Sequence, residues 1–248
     1  MIESYLSGKT LLHRLDPRLK LMIIFFYSFL VAIEREWFPL FYASFLPLVC
    51  LFNCRAYLKK LGKRILVVNG FILLLWVILP FTYPGEKILS FGLLSPTVEG
   101  IYFCLLLTLK SNLIIITTIL FLSTSQIFHL VHALHHLRVS PKLVQLSYFS
   151  YRYIPVIHTE YKRLHQAMKM RGFVPRNSPH TYRSIGYLVG MLLLRAYERS
   201  RRIYQAMLTR GFKGVFWTLC HFRWRKRDYL IAILCIFYFS GFFYLKLK

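Results

Sequence analysis

Acidic residues are scarce in this chain: across 248 residues, 9 Asp and Glu stand against 33 Lys and Arg, a formal net charge of +24. An imbalance of that size requires an anionic neighbour, and nucleic acid, lipid headgroups and an acidic protein groove all qualify. No Asp or Glu lies inside an apolar run except near its ends. A proton relay or cation path, which needs ionisable groups at membrane depth, has little to be built from. The five cysteines (Cys50, Cys54, Cys104, Cys220, Cys235) include no CxxC pair and three of them fall in apolar runs. They read as small buried hydrophobes, neither disulfide partners nor metal ligands. The N-terminal stretch "MIESYLSGKTLLHRLDPRLKL" carries acids and lacks the small-residue cleavage site of a removable signal peptide. Within it, "SGKT" at 7–10 has the look of a phosphate-binding loop, but Glu3 stands where the first glycine is required and no buried strand precedes it. The phosphate-binding reading fails, and intrinsic ATP hydrolysis with it.

What the chain does have is apolar length. With 56% hydrophobic residues and a mean hydropathy of +0.49, it reads as an all-α polytopic membrane protein. Asp16 is placed to N-cap a helix whose first residue is Pro17, where the missing N–H costs nothing. The apolar runs Leu21 to Ile33 and Trp37 to Phe52, parted by "ERE", are each short for a bilayer about 30 Å thick, which predicts a tight helical hairpin. Longer spans are expected from Ile65 to Phe81, from Gly100 to Leu122 and from Tyr229 to Leu245, giving about five in all. The expected organisation is therefore four transmembrane helices in 1–124, a module at 125–227 and a last span at 228–248. The loop after the second span holds Arg55, Lys59, Lys60, Lys63 and Arg64, whereas the opposite loops hold only Arg35 and Lys87 among more numerous acids. By the positive-inside rule the N-terminus is cytoplasmic and the C-terminus outside.

The 125–227 module contains no run long enough to span and carries 19 Lys and Arg against Glu160 and Glu198 alone. It reads as a helical, cytoplasmic or interfacial insert before the last span. Ser140-Pro141 marks a helix start, Pro155 a kink, "VPRNSP" a turn, and 183–210 a long helical pattern. Glu160 is spaced to pair with Arg163, and Glu198 with Arg195, Arg201 and Arg202. Basic residues set between apolar stretches favour lipid and protein over nucleic acid. The aromatics, mostly in the spans, are not interleaved with them as base-stacking platforms.

One octapeptide occurs twice in the insert, "QAMKMRGF" at 166–173 and "QAMLTRGF" at 205–212, an offset of 39 residues. Two copies are too few for a solenoid. On one reading each is a helix C-terminus, with Gly172 and Gly211 in the left-handed cap and Phe packing back. On another, Ala167 with Arg171 and Ala206 with Arg210 form two identical faces, a small residue below a projecting guanidinium, suited to two acidic grooves on a partner. The two readings are compatible.

Two further features ask for roles. His129, His132 and His136 have a spacing that could bind a metal, but no carboxylate or cysteine completes a set nearby, and histidines of an interfacial helix facing headgroups fit better. Lys110 sits near the middle of a span, where a charge costs about 3 kcal/mol on insertion scales, and must face protein. It is either a contact to a partner subunit or to Asn69 and Asn112, or an internal hydrogen-bonded buttress.

Taken together, "LHRLDPRLKL", "TSQIFHLVHALHHLRVSPKLV", "YRYIPVIHTEYKRLHQAMKMRGF" and "LLLRAYERSRRIYQAMLTRGF" resemble the transmembrane T component of energy-coupling-factor (ECF) transporters, the CbiQ/EcfT family, over nearly the whole chain. The Arg-Gly-Phe endings resemble the cobalt and nickel branch best. The resemblance implies a non-catalytic scaffold in a bacterial or archaeal cell membrane, holding two ABC ATPase subunits and a metal-type substrate-binding membrane subunit (S component). Its ATPase-coupling residues would be Ala167, Arg171 and Gly172 in one motif and Ala206, Arg210 and Gly211 in the other. ATP and Mg would be bound by the partner ATPases, with no cofactor on this chain, and the transported metal by the S component. Relatives often carry arginine where this chain has Lys110. A vitamin-type ECF importer is the alternative; a self-contained secondary transporter or membrane enzyme would need carboxylates, histidines or broken helices in the spans, of which the sequence offers little.

Overall fold

A computed structural model describes residues 11–53, 58–83, 97–137, 139–214 and 226–247. The "SGKT" segment, Cys54 and Arg55, the 84–87 turn, Cys220, Arg223 and Arg225 lie outside the described residues. Every regular element among them is helical: α1 (Leu11–Arg14), α2 (Pro17–Ile33), α3 (Trp37–Asn53), α4 (Leu58–Thr82), α5 (Val98–Ser123), α6 (Ile127–His136), α7 (Pro141–Met170), α8 (Pro179–Thr209) and α9 (Lys226–Leu247). They fall into two compact units, one of the described residues up to 133 together with α9, the other of the described residues from 134 to 214.

In the first unit, Asp16 caps α2 as its sequence predicts, its side chain accepting the Arg18 N–H at 2.9 Å with Pro17 in the first turn. The five expected spans are met in part. Among the described residues three helical stretches are long and apolar enough to cross a membrane, Gly62–Thr82, Val98–Ser123 and Lys226–Tyr244, and the apolar Trp37–Phe52 is shorter. At 17 residues each, α2 and α3 reach only about 26 Å, less than a typical hydrocarbon core. Lys59, Lys60, Lys63 and Arg64, expected in a loop, lie in the first turns of α4, which begins at Leu58. This is a polytopic helical membrane protein.

The packing of α3 follows from one residue. Pro47 lies inside the helix and has no N–H, so the Ala43 carbonyl four residues earlier has no helical donor. Two phenols take its place. Tyr27 of α2 and Tyr238 of α9 donate to Ala43 O at 3.0 and 3.1 Å. Tyr42 and Tyr238 also stack with ring centroids 4.9 Å apart, and Tyr27, Val31, Leu40, Ala43 and Phe242 are buried around them. The α4–α5 contact is fixed differently: the Thr97 N–H and hydroxyl both donate to Pro80 O, at 3.0 and 3.2 Å, and a Cβ on Gly100 would come within 2.9 Å of Pro80 Cα. Only glycine fits there.

In the second unit α7 runs 30 residues as one helix with Pro155 inside it. Ser178 caps α8, accepting the Thr181 N–H at 3.4 Å. As residue numbers fall along α7 their partners on α8 rise: Glu160 meets Arg195, Phe149 shares a groove with Met207, and Gln145 bonds the Gly214 carbonyl just beyond α8. The two helices are antiparallel.

Candidate functional site

The two octapeptides end α7 and α8 in the same way. Arg171 and Arg210 are the C-caps, with φ/ψ of −86°/14° and −89°/11°. Gly172 and Gly211 follow at φ 79° and 78°. The Gly172 N–H donates to Lys169 O at 3.0 Å and the Phe173 N–H to Met168 O at 3.1 Å; in the second copy Gly211 donates to Leu208 O and Phe212 to Met207 O, both at 3.0 Å. This is a Schellman cap, and it explains three positions of the motif at once: glycine for the left-handed turn, and Phe with the Met five residues before it as the usual apolar partners. Nothing stands within 4 Å of a Cβ on either glycine, so the demand for glycine here is one of backbone conformation.

Capping leaves Ala and Arg unexplained, and these are the residues turned outward. Ala167, Arg171, Ala206 and Arg210 are all exposed, whereas Met168, Met207, Phe173 and Phe212 are half-buried. Because α7 and α8 are antiparallel, the two caps lie at opposite ends of the pair, separated by on the order of 35–40 Å of helix. The chain therefore presents one charged notch twice, at two separated places.

Between the caps the helix pair is held by one ion cluster and one apolar groove. The Arg195 guanidinium on α8 donates to Glu160 on α7, and Arg163 stands 3.8 Å from the other carboxylate oxygen. Arg195 thus turns to Glu160 across the helices, not to Glu198 along its own, which corrects the pairing expected from spacing. The hydrogen bond from Arg195 holds the Glu160 carboxyl below the usual carboxylate range, with the charges of Arg195, Arg163 and Arg199 adding to it against a smaller opposing effect of burial. The groove, about 330 Å³, is lined on one side by Phe149, Tyr153 and Ile157 and on the other by Ala196, Ile203 and Met207.

The remaining candidates lie in the first unit or at its edge. The Lys110 ammonium donates to the Ala32 carbonyl at 3.2 Å, at the C-terminal end of α2, and does not meet Asn69; Asn112 bonds Thr108 O within its own helix. Because α2 is short, its end lies level with the middle of α5, and the buried Glu34 follows just beyond. His129 and His132 are half-buried on α6 and His136 is exposed. Among the described residues no three His, Cys, Asp or Glu side chains are grouped to hold a metal. Cys50, Cys104 and Cys235 are free thiols.

Sequence reasoning missed Lys20, which is fully buried, and the Tyr27–Tyr238–Ala43 arrangement. A signal for the second existed: a proline ten residues into an apolar helix, with tyrosines on other helices able to supply its lost donor.

The family model described as CbiQ, cobalt transport protein, matches residues 8–218. The chain is 28% identical over 238 residues to the energy-coupling factor transporter transmembrane protein EcfT of Listeria innocua, covering 86% of this chain and 85% of that protein. It is 28% identical over 227 residues to the protein of the same name from Bacillus subtilis, with 86% and 85% covered. A Methanocaldococcus jannaschii protein is 26% identical over 224 residues, 86% of this chain and 75% of its own length.

Proposed function

This chain belongs to the CbiQ family of transmembrane T components of energy-coupling-factor transporters, and from that premise we propose that it drives uptake of a divalent metal ion, cobalt or nickel, with Arg171 and Arg210 as the points where two ATPase subunits take hold. Membership makes it a non-catalytic, multi-pass subunit of the cell membrane, acting in a complex with ATPases and a substrate-binding S component.

One observation carries the docking reading: two copies of the motif form the same cap with the same residues outward, at opposite ends of an antiparallel pair. A helix stop needs only the glycine and the apolar contact. A repeated exposed Ala and Arg need two similar receptors, and two copies of one nucleotide-binding subunit, or two related ones, would supply them. The guanidinium fork suits a carboxylate-lined groove, and alanine lets the backbones approach. ATP and Mg are then bound by those ATPases and the metal by a metal-type S component, with no cofactor on this chain. Closure of the ATPases on ATP moves the two caps, and the membrane helices pass the motion to the S component. The basic start of α4 supports a reading in which that end, the N-terminus and the caps face the cytoplasm, with five membrane-inserted helices when the short α2 and α3 are counted.

The metal assignment rests on the Arg-Gly-Phe endings and on the family's description as cobalt transport proteins. The alternative is a vitamin-type importer, since the bacterial relatives are named for energy coupling without a cargo.

The test is co-purification of the tagged chain, expressed with its partner subunits, beside the double variant Arg171→Glu/Arg210→Glu. ATPases retained by the wild type and lost from a still folded variant support docking. Equal retention by both overturns it. Accumulation of labelled cobalt(II) or nickel(II) by cells carrying the complete transporter then separates the metal reading from the vitamin one.

A further inference from the structure

Among the described residues three buried ionisable side chains, Asp16, Lys20 and Asp228, meet at one place apart from the coupling motifs. Lys20, in the first turn of α2, is fully buried, and its ammonium donates to the Thr124 carbonyl at 3.2 Å, to Thr124 Oγ1 at 3.1 Å and to Ser125 Oγ at 2.6 Å. An ammonium has three N–H donors, and all three are directed at two consecutive residues closing α5. The unpaired carbonyls and negative dipole end of that helix favour a cation there. Thr124 is the C-cap of α5, and its hydroxyl is held in turn by donating to Phe121 O at 2.9 Å. Asp16, whose carbonyl accepts the Lys20 N–H at 3.3 Å, donates its own N–H to Asp228 Oδ1 at 3.4 Å. Asp228 is 3% exposed and lies in the first turn of α9, the helix end that favours an anion.

Chain order gives this cluster its meaning. The segment bearing both Arg-Gly caps leaves the first unit after α5 and part of α6 and returns to it before α9. Thr124–Ser125, one short helical stretch before the chain leaves, and Asp228, at the start of α9 after it returns, are both tied to the start of α2. Burial of a lysine is costly even when paired, and an apolar residue of similar size fills such a space at less cost. A buried ammonium that saturates its donors at this place has a purpose other than bulk stability.

We infer that Lys20 is a positioning residue for energy coupling: with Asp16 and Asp228 it fastens both chain connections of the coupling segment to α2, so that displacement of the coupling helices reaches the membrane helices as movement of α2 and is not absorbed in the connections. This deepens the coupling reading above and rests on it. Packed side chains and hydrogen-bond networks can carry coupling between distant sites, and the Lys20 cluster supplies such a network between α2, the end of α5 and the start of α9.

The experiment uses the complete complex in lipid nanodiscs, with hydrogen-exchange mass spectrometry with and without ATP plus vanadate. In the wild type, nucleotide changes exchange both at the caps (161–173 and 200–212) and in α2. In Lys20→Met the response at the caps persists while that in α2 falls by about five-fold or more, the lower end of ordinary coupling strengths. Lys20→Arg, which keeps charge and donors, recovers most of it. Should Lys20→Met fail to assemble, Lys20→Met/Ser125→Ala removes donor and acceptor together and leaves fewer unpaired polar atoms. The inference is overturned if the α2 response survives in either Met variant, or if cap and α2 responses fall in parallel, as for a residue that only supports the fold. A wild-type complex with no nucleotide response at the caps overturns the docking reading itself, an outcome visible before any variant is made.

Discussion

Lys20 and Lys110 tie α2 and α5 together reciprocally. Lys20, at the start of α2, binds the Thr124 carbonyl closing α5, and Lys110, midway along α5, binds the Ala32 carbonyl closing α2, each at 3.2 Å. The helices are antiparallel and unequal in length, so one lysine works at a helix terminus and the other within a span. Each sits where a helix C-terminus leaves carbonyls without donors.

For Lys110 this predicts a modest structural effect. Lys110→Met removes one interhelical hydrogen bond, worth about 0.6 kcal/mol on average in membrane proteins. The expected outcome is a thermal unfolding midpoint in detergent only slightly below wild type and unchanged recovery of the S component. Loss of the S component at unchanged thermal stability would instead assign Lys110 to the partner contact.

The donors replacing the helical bond lost at Pro47 predict a rescue. Tyr27→Phe alone leaves Tyr238 on the Ala43 carbonyl and should cost about 1 kcal/mol, while Tyr27→Phe/Tyr238→Phe leaves that carbonyl unsatisfied at about 1–3 kcal/mol. Adding Pro47→Ala restores a helical N–H and should recover much of the loss in the double variant. A Pro47→Ala change that gives no recovery, measured by thermal aggregation, would remove the backbone explanation.

The caps predict a backbone penalty in both copies. Gly172→Ala and Gly211→Ala should each destabilise the final turn by about 1 kcal/mol, with Asn less harmful than Ala, because the left-handed conformation, not space, is limiting. Amide exchange at Phe173 and Phe212 reports it, since their N–H groups close the caps. Equal exchange in the Ala variants and the wild type would contradict this account.

Glu160 predicts an acid limit. Its carboxyl is held below the usual range, chiefly by the Arg195 hydrogen bond, so its contribution to the helix pair is present above the ordinary glutamate pKa of about 4.3. That contribution is lost as pH falls through the lower folded value. Protection of α7 and α8, measured relative to the intrinsic exchange rate at each pH, should fall over this window in the wild type. Glu160→Gln, without the titrating group, should show higher exchange at neutral pH and a flatter acid response.

Much of this was legible in the sequence because it depends on local rules. The Asp16-Pro17 start of α2, the Ser140-Pro141 start of α7, the three long apolar runs and the glycine caps follow from capping chemistry and hydropathy alone. The Arg195–Glu160 pair was misassigned because spacing along one helix says nothing of a facing helix. Lys20 could not be found: in "DPRLKL" it reads as one more basic residue beside a membrane, and only the return of α5 reveals three acceptors waiting for it.

The Glu160–Arg195 contact does not divide the helix pair evenly. It lies roughly 16 Å of helix from Arg171 and roughly 22 Å from Arg210. If the contact acts as a pivot, the pair is a lever with unequal arms: a 10° change of crossing angle displaces one tip by about 3 Å and the other by about 4 Å. Two identical ATPases closing symmetrically would therefore deliver unequal strokes to the two ends, and the asymmetry would come from this chain.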